Sequence, residues 1–174
     1  DGISILKINR PKALNALNSE TLDELKHAGN AINANKDVWV VVITGEGDKA
    51  FIAGADILEM KDMNAIEGMV FSQRGHEAFA AFENMNKPVI ASVNGFALGG
   101  GFEVALMCDI IYASDKAKVG FPETTLGIFP GFGGTQRAAK LCGLAKAKEL
   151  VFTGRMIGAA EAYEMGLINK VVPH

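Results

Sequence analysis

Residues 88–109 constrain this chain more than any other stretch. An apolar, β-branched run over 89–93 is followed by an Asn94-Gly95 turn and then Phe96-Ala97-Leu98. Three consecutive glycines, Gly99, Gly100 and Gly101, lead into an apolar helical segment over 102–108 that carries Glu103. The first run has the length and composition of a buried strand. Glycines at a helix start leave the first backbone N–H groups unpaired, an arrangement suited to a negative group. A carboxylate one turn inside, among apolar residues, is unfavourable to bury unless it works. The stretch reads as an anion-stabilising site with its own acid or base. In the competing reading the glycines only allow close packing and Glu103 faces solvent.

Strand and helix patterns alternate through the rest of the chain. Ile3, Ile5, Leu6 and Ile8 mark a first strand ending at Asn9-Arg10-Pro11. A helix follows from Ser19, read as its cap, with Leu22, Leu25 and Ile32 on the buried face. Residues 38–44 are a near-continuous apolar strand, expected to be buried on both faces. A helix is expected over 65–85 with Ile66, Val70, Phe79 and Phe82 on one side. Gly68 and Gly75 each weaken that helix by about 1 kcal/mol relative to Ala. Short strands follow over 110–113, 118–121 and 168–172, and a glycine-rich turn over 131–134 opens a helix that Thr135 can cap. Gly143 and Gly166 read as stops after later helices. This order predicts an α/β layer fold with parallel strands in one domain, residues 1–174.

Composition excludes several classes. A formal net charge of -3 carries no electrostatic footprint for nucleic acid. No apolar run approaches the roughly 20 residues of a membrane span. Cys108 and Cys142 lack CxxC spacing and read as buried free thiols of a reducing compartment. The chain opens at Asp1 and enters a strand almost at once, which suggests trimming.

The familiar chemical motifs are missing. His27, His76 and His174 have no metal-ligand spacing, no GxSxG surrounds Ser92, and Gln136 stands where a dinucleotide fingerprint needs its third glycine. Non-metal acid–base chemistry is left, and two carboxylates suit it. Glu103 follows the triple glycine, and Glu123 follows Phe121-Pro122 ahead of an apolar segment over 126–130. Apolar surroundings raise a carboxyl pKa toward neutrality, and two such groups facing one space can divide acid and base roles. A surface or capping role for either glutamate is the alternative, and spacing does not show that they converge.

The run over 90–104, IASVNGFALGGGFEV, resembles the signature of the crotonase, or enoyl-CoA hydratase, family. Residues 9–17, 50–56, 120–127 and 130–137 match that family in the same order, so the resemblance covers essentially the whole chain. It implies a crotonase-like spiral of ββα units, here a catalytic core without the C-terminal helical segment that builds a homotrimer or hexamer. It implies an acyl-CoA thioester as substrate, coenzyme A being part of that substrate, with no metal and no redox cofactor. The backbone N–H groups of Ala55 and Gly100 would form an oxyanion hole, with Glu103 activating water and Glu123 delivering a proton at C2. Ala13, Leu14, Ala53, Asp56, Ile57 and Leu58 match the segments lining the CoA and acyl site, although Asp56 also fits a turn or helix cap. Arg10 and Lys12 could face CoA phosphates or stand as solvated surface charge. Phe102 replaces a cysteine common in the family, and Phe121 a glutamine, both changes that would tighten or dry the acyl pocket. The implied activity is short-chain enoyl-CoA hydration, with a cytoplasmic location in fatty-acid or butanoate metabolism and no nucleic-acid or membrane partner. An isomerase of the same fold and a non-catalytic acyl-CoA-binding fragment are the alternatives, and an acidic chain gives an RNA-binding homologue little support.

Overall fold

Strand, tight turn, short strand, helix is the repeating unit of the computed structural model, which describes residues 2–174. β1 (Ile3–Ile8) and α1 (Ser19–Ala34) precede the first full unit. That unit comprises β2 (Val40–Gly45), β3 (Ala50–Ile52), the short α2 (Ile57–Met60) and α3 (Ala65–Glu83). β4 (Val89–Val93), β5 (Phe96–Leu98) and α4 (Gly100–Met107) make the second. β6 (Ile110–Ser114), β7 (Lys118–Gly120), a 3-10 turn (Pro122–Leu126) and α5 (Gly134–Cys142) make the third. α6 (Leu144–Thr153), β8 (Met156–Gly158), α7 (Ala159–Glu164) and β9 (Lys170–Val172) complete the chain.

Each unit sends its first strand to one sheet and its second to another. The larger sheet has the order β1-β2-β4-β6-β9, and the smaller has β3-β5-β7-β8. All pairings are parallel except β7 with β8. Parallel neighbours need a crossover, which the helices supply, so the chain winds as the expected ββα spiral.

Val41, Ile43, Val89, Ala91, Val93, Ile111 and Ala113 line the buried face of the larger sheet. The alternate residues Val40, Val42 and Thr44 are only half-buried, so residues 38–44 are not covered on both faces as expected. A parallel sheet reaches that state only when both faces carry helices, and here the second face stays open, with Ile3, Ile5 and Trp39 exposed.

Helix ends also correct the sequence reading. Asn18, not Ser19, caps α1, its Oδ1 accepting from the Thr21 backbone N–H at 2.9 Å. Gly133 precedes α5 with no side-chain cap, and Thr135 lies inside the helix. In α3 the buried stripe is Phe71, Gly75, Ala78, Phe79 and Phe82, whereas Ile66 and Val70 are 71% and 48% exposed. Gly75 is where the Phe132 ring enters, and a Cβ there would overlap it. Phe132 packs at 5.5 Å from the rings of both Phe71 and Phe79, joining the start of α5 to α3. Both cysteines are free, but only Cys108 is buried.

Candidate active site

Each of the three glycines faces a different neighbour. Gly99 has φ +51°, and a Cβ on it would stand 2.8 Å from Glu123 Oε1. A Cβ on Gly101 would overlap the Ile52 carbonyl oxygen, so α4 could not press against β3. Gly100 is the first residue of α4, and a Cβ there would crowd the Phe132 ring at 3.1 Å and lie 3.4 Å from the Ala55 nitrogen. Ala55 is held between neighbours by two bonds of 2.8 Å: Leu17 N–H donates to Gly54 O, and Asp56 N–H donates to Leu17 O. The N–H groups of Ala55 and Gly100 themselves meet no acceptor among the described residues. Two adjacent free donors at a helix N-terminus form a ready pocket for a developing negative charge.

Glu103 sits one turn into α4 and is 1% exposed. Its Oε1 accepts from the backbone N–H groups of Phe132 at 2.9 Å and Gly134 at 2.6 Å. Burial pushes this carboxyl above the usual carboxylate range, while the two N–H donors and the Arg137 charge pull it back. Glu123 stands at the start of the 3-10 turn after β7, its Oε2 buried without a hydrogen-bond partner. Burial pushes it up to about 7, offset by its own backbone N–H and reinforced by the charge of Glu103. The fold brings both glutamates to the glycine loop, in unlike surroundings. Glu103 has donors that favour its ionised form, and Glu123 Oε2 has none, which favours a bound proton.

Ala13, Leu14 and Ala53 are also brought together, Ala53 N–H donating to Leu14 O at 3.0 Å. Ile57 and Leu58 follow on α2 as an exposed apolar rim. The Asp56 carboxylate is occupied internally: it caps α2 through Leu58 N–H at 3.1 Å and pairs with Arg10 at 3.0 Å. Arg10 also donates to Ala16 O, so its guanidinium braces the loop and does not face outward. Lys12 is exposed and lines a cavity of about 380 Å³ with Leu14, Asn15 and Lys49.

The sequence marks a turn at Asn94 but not the bracing that Asn94 and Asn15 supply. Asn15 is buried with φ +60°, and its Nδ2 donates to Glu46 O at 3.0 Å and Ala50 O at 2.9 Å. Asn94 Nδ2 donates to Gly45 O at 3.1 Å and Gly47 O at 2.7 Å. Both brace the β2–β3 turn, and an asparagine's tolerance of positive φ was the one available signal at Asn15. Phe102 and Phe121 form a fully buried ring pair, 5.1 Å apart, behind the site. Phe121 reaches the side of Glu103, since a Cβ on Gly134 would touch both side chains at under 3 Å.

A ββα spiral thus sets two free backbone N–H donors beside one buried and one partly buried carboxyl, groups whose chemistry suits proton transfer next to a developing negative charge. The family profile described as Enoyl-CoA hydratase/isomerase matches residues 1–174. The chain belongs to the enoyl-CoA hydratase/isomerase family. It is 55% identical over 170 residues to the short-chain-enoyl-CoA hydratase of Clostridium acetobutylicum, covering 98% of this chain and 65% of that protein. It is 53% identical to the crotonyl-CoA hydratase of Syntrophomonas wolfei over the same shares. The crystal structure of enoyl-CoA hydratase from Bacillus anthracis superposes with a TM-score of 0.95 at 43% identity, covering 99% of this chain and 67% of that one. The chain thus spans just under two thirds of the curated relatives it matches. No helix among the described residues is long and apolar enough to cross a membrane.

Proposed function

We propose that this chain is the catalytic core of a hydro-lyase that adds water reversibly to a short-chain trans-2-enoyl-CoA. The thioester oxygen accepts from the Ala55 and Gly100 N–H groups, which stabilise the enolate that forms when C3 is attacked. Water lies between the glutamates. Glu103 takes a proton from it, the hydroxyl bonds to C3, and Glu123 gives its proton to C2 of the enolate. Dehydration runs the same steps backward with the roles exchanged. Ala13, Leu14, Ala53, Ile57 and Leu58 line the CoA and acyl path, with Asp56 and Arg10 holding the loop. The chemistry uses no metal and no redox cofactor, and coenzyme A enters as part of the substrate.

One observation carries this reading: the buried Glu103 carboxyl and the partly buried Glu123 carboxyl, in unlike surroundings, stand beside two unpaired N–H donors. An isomerase needs one carboxylate to move a proton, so the second carboxyl at the glycine loop favours the hydratase. The names of the Clostridium and Syntrophomonas relatives support a short acyl chain. We further propose that the full-length protein works in the cytoplasm and forms a homotrimer or hexamer, the assembly being supported by the many large apolar side chains left exposed, among them Leu58, Phe129 and Phe152.

Loss of the crotonyl-CoA enone absorbance tests the activity, measured on the 174-residue chain and on the chain joined to the remaining third of the Clostridium relative. Hydration by either form is the expected result. Thioester binding without hydration in both forms would overturn it in favour of a non-catalytic acyl-CoA-binding fragment.

A further inference from the structure

Arg137 lies in the first turn of α5, the wrong end of a helix for a cation. Its side chain is nevertheless only 13% exposed. Nε and Nη2 grip both oxygens of Glu83 on α3 at 2.5 and 2.7 Å, and Nη1 donates to Phe132 O at 2.6 Å. The guanidinium also lies 5.7 Å from the centre of the Phe79 ring. The carbonyl it holds belongs to the peptide between the two that donate N–H to Glu103. Gly133, with φ +99°, turns those donors to one side, and a Cβ on it would stand 2.5 Å from Arg137 Nη1. α3 fastens the same loop twice more. Ser72 Oγ donates to Gly131 O at 2.6 Å, and the Phe132 ring fills the gap at Gly75.

We propose that Arg137, anchored by Glu83, is a positioning residue for Glu103: it holds the 131–134 loop so that two backbone N–H groups meet that carboxylate. The proposal rests on Glu103 being the base of the hydratase reading. A fork gripping a carboxylate and a carbonyl at once fixes a peptide plane in a way a lysine point charge cannot. The charged groups facing Glu103 are Glu123, from the turn after β7, and Arg137 itself. Glu83 reaches it only through Arg137.

The test combines carboxyl carbon NMR with kinetics, using Glu103→Gln to assign the Glu103 signal. Arg137→Gln should move the Glu103 titration upward, since a cation and the N–H seat are both weakened. Its kcat for crotonyl-CoA should fall about 10- to 100-fold, the scale of a displaced catalytic group, with KM nearly unchanged. Arg137→Lys should restore most of the titration and little of kcat. A folded Arg137→Gln protein with an unmoved titration and unchanged kcat would overturn the proposal, as would full recovery of kcat by lysine. If Arg137→Gln does not fold, Glu83→Gln decides: a lower kcat at constant KM supports the anchor, and wild-type kinetics refute it. The kinetics use whichever wild-type form hydrates, and the titration needs no turnover, so failure of both forms to hydrate sinks the hydratase reading separately.

Discussion

Glu123 is the side chain whose surroundings make the sharpest demands. Its folded pKa of about 7 lies above the 4.5 expected when unfolded. The folded state therefore binds the proton more tightly, and its share of stability is full below about pH 4.5 and lost as pH rises through about 7. Glu123→Gln should raise the melting temperature by a few degrees at pH 8 and leave it nearly unchanged at pH 4.5, read by calorimetry at both values. An equal gain at the two pH values would show that ionisation is not the cause. In the proposed reaction Glu103→Gln and Glu123→Gln should each lower kcat at least about 100-fold, the typical share of acid–base catalysis, while thioester affinity is kept. Equal loss of affinity and turnover would reassign them to binding. Gly100→Val should abolish turnover, because its side chain would stand against the Ala55 N–H and the Phe132 ring. Unchanged activity would remove those N–H groups from the mechanism. That Glu103 is buried and Glu123 partly so fits their apolar neighbours in the sequence, although those neighbours left a surface or capping role open. That Glu103 alone receives two backbone donors was not legible, because Phe132 and Gly134 lie about 30 positions downstream.

α3 shows where periodicity succeeds and where it misleads. Its existence and C-terminal half were legible from Phe79 and Phe82, which are buried. Its first turns point apolar Ile66, Met69 and Val70 outward, a choice that depends on which surfaces surround the helix and not on its own spacing. Gly75, read as a weakness, is where the helix admits Phe132. Gly75→Ala should therefore destabilise the fold and disturb the Glu103 seat, although alanine is the better helix former by about 1 kcal/mol. A chemical melt showing stabilisation would contradict that packing. The loop after β1 makes a similar demand. Asn15→Ala removes two buried donors from the Glu46 and Ala50 carbonyls and should cost about 1–3 kcal/mol, measured by urea unfolding. An unchanged midpoint would mean that water replaces the amide without loss.

Three passes through the same strand–strand–helix unit bring the glycine loop and α4 against β3 and β5, with α3 and α5 packed beside them. The open face of the larger sheet and the apolar rim near α2 leave surface that the proposed assembly would cover. Sedimentation of the chain joined to the remaining third of the Clostridium relative should accordingly show a trimer or hexamer, and a monodisperse monomer of that longer form would count against the assembly. Local chemistry determined much of this by itself: the β-branched runs, the glycines before Glu103, the α/β order and the two candidate carboxyls are all short-range features of the sequence. The family motifs extended that to the ββα spiral and the Ala55–Gly100 pair. Only the tertiary structure decided which face of each element is covered, that Asp56 and Arg10 satisfy one another, and that Arg137 and Phe132 brace the loop holding Glu103. Those outcomes depend on groups far apart in the chain meeting in a dry interior, where each unpaired polar atom must find a partner that no local pattern specifies.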